Sequence, residues 1–215
     1  MKSMLKKELR LCMHPTVPLF LLLSSMLLIP NYPYYVVFFY TGLAVFFTCL
    51  TGRENSDVFY TMLLPVAKRD IVRARFLFVV LFEAVQVAVS VPFAVIRQSM
   101  PISGNAVGMD ANIALFGLSL GMLGIFNFIF FCIYYGDVAK VGKAFGLACV
   151  GVSVYMIAAE TCDHAVPFFR DRLDTRDPLF LKEKLIVLAI GLTVFAVLTA
   201  TAYRRSVRSF EALDL

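Results

Sequence analysis

Two stretches carry the residue types of catalytic loops, and both fail on spacing. Gly136-Asp137-Val138-Ala139-Lys140-Val141-Gly142-Lys143-Ala144 has the glycines and lysine of a phosphate-binding loop. That loop needs four residues between its glycines and a Ser or Thr after the lysine to hold magnesium. Here five residues intervene and Ala144 follows. The chain is therefore not expected to hydrolyse ATP. Gly117-Leu118-Ser119-Leu120-Gly121 matches a hydrolase nucleophile elbow, but that motif works on a strand-to-helix turn in an α/β sheet. Here it lies in a long apolar block, where Gly117, Gly121 and Gly124 are expected to permit close helix packing, as are Gly142 and Gly146. Cys162-Asp163-His164 offers too few ligands for a structural metal site and reads as a solvated loop. Five scattered cysteines without CxxC spacing imply no disulfide. No catalytic, metal or cofactor-binding residue is expected in this chain.

The remaining chemistry is a buried acid. Glu83 and Gln86 fall one helical turn apart inside an apolar run, with Asn127 as a polar neighbour on another run. An ionisable side chain at that depth costs about 2.5–3.5 kcal/mol on insertion scales and so faces a partner helix or a water path. Glu83, Gln86 and Asn127 are accordingly expected to line an internal pathway or a seam between two copies; packing within the bundle is the plainer alternative.

The elements that position these residues are membrane helices. The chain is 60% hydrophobic and 16% charged, against about 25% charged in a soluble domain. Six membrane-spanning apolar blocks are expected, over residues 15–29, 34–50, 76–96, 112–135, 143–159 and 182–203, the first of them short enough to borrow Leu11–His14 or to sit in a thinned bilayer. The chain thus reads as an all-α integral membrane protein with a single domain over 1–215, and its +5 charge points to no nucleic acid. No cleavable signal peptide is evident. Residues 1–13 place Met1, Met4, Leu5, Leu9 and Cys12 along one helical face opposite Lys2, Lys6, Lys7 and Arg10, as in a helix lying on anionic headgroups. Lys and Arg number fourteen in the amino terminus, the 53–75 segment, the loop near 140 and the tail, against six elsewhere. The excess puts both termini and the 53–75 segment in the cytoplasm.

Residues 53–75, RENSDVFYTMLLPVAKRDIVRAR, form an elbow between the second and third blocks. Val58, Phe59, Met62 and Leu63 recur at helical spacing after an acidic first turn, which predicts a short amphipathic helix along the membrane surface. Pro65 should end it, and a second helix should carry Lys68, Arg69, Arg73 and Arg75 into the third span.

This elbow, with Arg53-Glu54-Asn55, Leu64-Pro65-Val66-Ala67-Lys68-Arg69 and Ala74-Arg75, resembles the permease subunits of ABC-2 type transporters. Upstream, Ile29-Pro30-Asn31-Tyr32-Pro33-Tyr34-Tyr35 is similar to small bacterial six-span members; beyond about residue 90 only the topology agrees. The resemblance implies a bacterial plasma-membrane permease that pairs with a second permease, identical or not, above cytoplasmic ATPase subunits that hold ATP and magnesium. It implies that Glu54, Asp57, Phe59, Tyr60, Leu64, Pro65, Lys68 and Arg69 form a coupling helix seated on the ATPase. Short outer loops suit export of a peptide, drug or lipid-like amphiphile. The alternatives are a membrane scaffold or sensor without transport, and a proton-coupled transporter using Glu83.

Overall fold

The computed structural model describes residues 2–101 and 104–213. Among these there is no strand. Helix α1 spans Lys2–Lys7 and runs into a π-type turn at Glu8–Cys12; α2 spans Val17–Leu22 and tightens into a 3₁₀ segment at Leu23–Leu28. Then come α3 (Tyr35–Glu54), α4 (Asp57–Met62), α5 (Lys68–Ser99), α6 (Ile113–Tyr134), α7 (Val141–Ala165) and α8 (Leu181–Glu211). Helices α3, α5, α6, α7 and α8 are long and apolar enough to cross a membrane. They match the second to sixth expected spans, and most run past the expected ends because the helix continues from oil into water. Residues 160–165, expected in a loop, are the last turns of α7.

The first expected span is present in a different form. Val17–Leu28 is too short for a regular spanning helix, yet its chain runs the length of α5. Glu8 meets Arg75 at one end, Ser24 accepts from Gln86 and Ser90 midway, and Tyr34 accepts from Arg97 at the other. At about 1.5 Å of helical rise per residue, Arg75 and Arg97 stand roughly 33 Å apart, close to the thickness of a hydrocarbon core.

The amino-terminal helix also departs from expectation. Met1 and the side chain of Lys2 lie outside the described residues. Met4 and Cys12 are buried as anticipated, but the wider turn at Glu8–Cys12 rotates the register, so Glu8 faces inward and Leu9 outward. The helix packs on α5 instead of resting on headgroups alone.

Helices α6 and α8 form the tightest pair. A Cβ at Gly117 would sit 2.7 Å from the Leu188 Cα, and one at Gly124 would sit 2.9 Å from the Phe195 Cα. From the α8 side, a Cβ at Gly191 would overlap the Gly117 carbonyl. Backbones approach this closely only where side chains are absent. Gly121 faces the Tyr155 hydroxyl on α7. Gly142 and Gly146 correct the expectation: both are exposed and nothing in this chain lies within 4 Å of an added Cβ.

Candidate functional site

The elbow forms as its sequence dictates. Helix α3 ends at Glu54, and Ser56 turns left-handed at φ 52°, reversing the chain into α4. Pro65 stops α4, Ala67 is extended, and α5 begins at Lys68 with Asp70 in its first turn. The outward side of the elbow carries Phe59, Tyr60, Leu63 and Leu64, each more than half exposed. Phe59 and Tyr60 meet edge to face at 5.9 Å. Glu54 and Pro65 are exposed too. Beside them Gly52, Arg53, Val58, Phe59 and Met62 line a groove of about 180 Å³ closed by Val138 and Ala139 of the α6–α7 loop.

The inward side is an ion-paired latch. Arg75 is only 3% exposed, and its guanidinium meets Glu8 at 2.6 Å and Asp57 at 3.0 Å. Lys7 reaches Asp57 at 2.8 Å and donates to the Thr61 hydroxyl at 2.7 Å. The amino terminus, α4 and α5 are thereby clamped together, so the elbow is held as a rigid body. Burial pushes the Asp57 carboxyl up, but the Lys7 hydrogen bond and the Arg75 charge more than offset this and leave it below the ordinary carboxylate range. Asp57 therefore points into the latch. Lys68 and Arg69 are likewise engaged within the chain: Lys68 donates to the Leu213 carbonyl at 2.5 Å and Arg69 to the Tyr203 hydroxyl at 3.5 Å.

The buried acid lies deeper in the bundle. Glu83 Oε2 accepts from Asn127 Nδ2 at 3.1 Å, and the same amide donates to Thr199 Oγ1 at 3.2 Å. Gln86 joins a separate contact, donating to Ser24 at 2.9 Å. Glu83, Gln86 and Asn127 are each no more than 1% exposed, so none faces an outer seam of this chain.

A family model described as ABC-2 family transporter protein matches residues 3–211. The chain belongs to the ABC-2 transporter family. No curated relative and no solved structure matches it. The match continues through α6, α7 and α8, where the sequence by itself offered only topology. As an ABC-2 protein the chain is a multi-pass membrane permease of an ABC transporter, a transport component and not itself a catalyst, and the family implies an ATPase partner.

In this ABC-2 permease the opposite end of the bundle is also tied by long-range polar contacts that sequence reading missed. Arg97 lies 3.8 Å from Asp110, and the Asp110 amide donates to Asp174 at 2.7 Å. Lys184, fully buried, meets Asp177 at 2.8 Å. Asn112 caps α6 by accepting from the Leu115 amide, and its own amide donates to the Leu173 carbonyl.

Glu83→Gln is expected to fold at least as stably as the native permease. The amide keeps an acceptor for Asn127 and gains a donor for Asn127 Oδ1, which has no partner, and unlike a carboxyl it can never place a charge in the bundle. Glu83→Leu should cost about 1–2 kcal/mol by leaving the Asn127 amide with Thr199 as its one remaining acceptor. Thermal melts in detergent check both; a Glu83→Gln protein clearly less stable than the native permease would show that the carboxyl group itself holds the bundle.

Proposed function

We propose that this permease is one half of a paired exporter whose elbow docks in a separate cytoplasmic ATPase. The observation that carries the reading is the exposed Phe59, Tyr60, Leu63 and Leu64 face on a helix braced from behind by Asp57, Lys7 and Arg75. An apolar and aromatic patch on a rigid mount suits docking into a partner cleft. The bracing matters equally: a push on α4 passes into α5 as a rigid-body movement instead of being absorbed locally. Glu54 and Pro65 belong to the docking face, with Arg53 and Val138 forming its groove. Asp57, Lys68 and Arg69 belong to the bracing.

In this reading ATP and magnesium reside on the ATPase, and a second permease copy or a related chain completes the channel. The run of residues 8–34 along α5 supports a sixth pass, and in this reading both termini and the elbow, with their excess of Lys and Arg, face the cytoplasm of a bacterial cell. The cargo is an amphiphile, a peptide, drug or lipid-like molecule. What supports this is a groove of about 610 Å³ between α5, α6 and α8, lined by Val87, Val91, Phe116 and Leu188 and polar at its far end through Gln98 and Asp177.

The test is co-purification of the tagged permease with ATPase subunits from its own cell. The native chain should retain an ATPase, and a Phe59→Ala/Tyr60→Ala variant should lose it with its melting temperature unchanged, because both side chains are solvent-facing. Equal retention by the variant would remove the elbow as the docking face. No ATPase on the native chain would leave the scaffold or sensor reading in its place.

A further inference from the structure

Glu160, Asp163 and His164 stand at i, i+3 and i+4 on the last turns of α7, the spacing that gathers side chains on one helical face. One ligand-capable atom of each lies within 4.8 Å of the other two. Acids close together are common, but two further features separate this group from a chance cluster. Asp163 is only 4% exposed and its buried Oδ1 has no hydrogen-bond partner, and Glu160 Oε2 is also buried and unpartnered. Burying bare carboxylate oxygens is costly unless a cation meets them. Gly108 then folds over the site from the α5–α6 loop. A Cβ there would come within 2.5 Å of the Glu160 carboxyl carbon, so the loop closes on the carboxylate only because that position has no side chain.

The imidazole is already set for coordination. His164 Nδ1 donates to the Glu160 carbonyl at 3.0 Å, which fixes the tautomer and leaves the Nε2 lone pair free, the usual arrangement of a metal-bound histidine. Asp110 and Asp174 lie near enough to deepen the negative field. The second gathering of such residues, Glu8, Cys12 and Asp57, differs because Arg75 and Lys7 already neutralise it.

We propose that Glu160, Asp163 and His164 bind a divalent transition-metal ion, zinc by preference, at the end of the bundle opposite the elbow. Two carboxylates and one imidazole supply three ligands and leave a fourth position for water. Calcium would want six or more oxygens, and magnesium prefers oxygen and water to imidazole. The bound ion joins the end of α7 to the loop that carries Gly108. The site is independent of the transport reading.

The test uses the full chain in detergent, with any affinity tag removed and metal stripped by EDTA, titrated with zinc sulfate by calorimetry and checked by metal analysis after dialysis. One saturable zinc per chain is expected, bound at least tenfold more weakly by Asp163→Asn and by His164→Ala. Because His164 is exposed, His164→Ala should melt with the native protein in EDTA, which separates lost binding from lost folding. Cys12→Ser should bind as native. Absence of saturable zinc, unchanged affinity in both ligand variants, or displacement of zinc by equimolar calcium would each overturn the site.

Discussion

Arg75→Ala is expected to destabilise the permease by about 3–5 kcal/mol. Its guanidinium is almost wholly buried and answers the Glu8 and Asp57 carboxylates while reaching the Cys49 sulfur at 3.7 Å. Lys7 can still reach Asp57 when the arginine is gone, but Glu8, 1% exposed, is left with Lys7 at 3.6 Å as its remaining cation. The charge that is left behind dominates the loss, so adding Glu8→Gln to Arg75→Ala should recover part of it. The chain has no tryptophan, so unfolding is best followed by fluorogenic thiol labelling of Cys12 and Cys49, both free, buried and beside the latch. An Arg75→Ala protein that melts with the native chain would remove the latch as a source of stability; no recovery in the double variant would remove Glu8 as its partner. The latch is also expected to fail with acid. Since the folded state holds Asp57 below the ordinary carboxylate range, its contribution is present above that range and is lost as pH falls through the lowered value. The near-UV circular dichroism of the nine tyrosines should therefore stay flat near neutrality and change only in strong acid; a change already near neutrality would contradict it.

The second large effect is expected at the α6–α8 seam. Gly117→Val and Gly191→Val should each cost at least about 1–3 kcal/mol, the usual range for overpacking. The atoms in the way are the Leu188 backbone and the Gly117 carbonyl, and a helix backbone cannot turn aside as a side chain can. Gly142→Ala and Gly146→Ala should be neutral or stabilising by up to about 1 kcal/mol, because alanine is the better helix former and nothing in this chain opposes it. The same thiol melts compare the pairs. Gly146→Ala proving as harmful as Gly191→Val would move a tight seam to a contact between two copies.

The contrast between these glycines marks what was legible in the sequence. Gly117, Gly124, Gly142 and Gly146 all sit in apolar helices at similar spacing, and spacing alone cannot say which face meets a neighbour. Gly191, which completes the seam, stands in α8 with no small-residue repeat to draw attention to it. Local signals were reliable: Pro65 ends α4, and the acidic turn and apolar spacing place the elbow between two long helices. In the sequence Arg75 is one more basic residue of that elbow. Its partner Glu8 lies in a distant amphipathic segment where an inward-facing acid runs against the pattern. Glu160 is hidden for a related reason: the apolar run stops at Ala159, nearly two turns before α7 ends, so nothing in the sequence says that Glu160 and His164 share a helical face. Contacts between distant segments have no period to reveal them.

The broken helix at 17–28 has a consequence for biogenesis. Its polar anchors lie far ahead of it in the order of synthesis: Ser24 waits for Gln86 and Ser90, which follow 62 and 66 positions later, and Tyr34 waits for Arg97. A six-residue helix followed by a 3₁₀ turn is too short to stand alone in a bilayer. This apolar segment therefore docks only once α5 has been threaded past it.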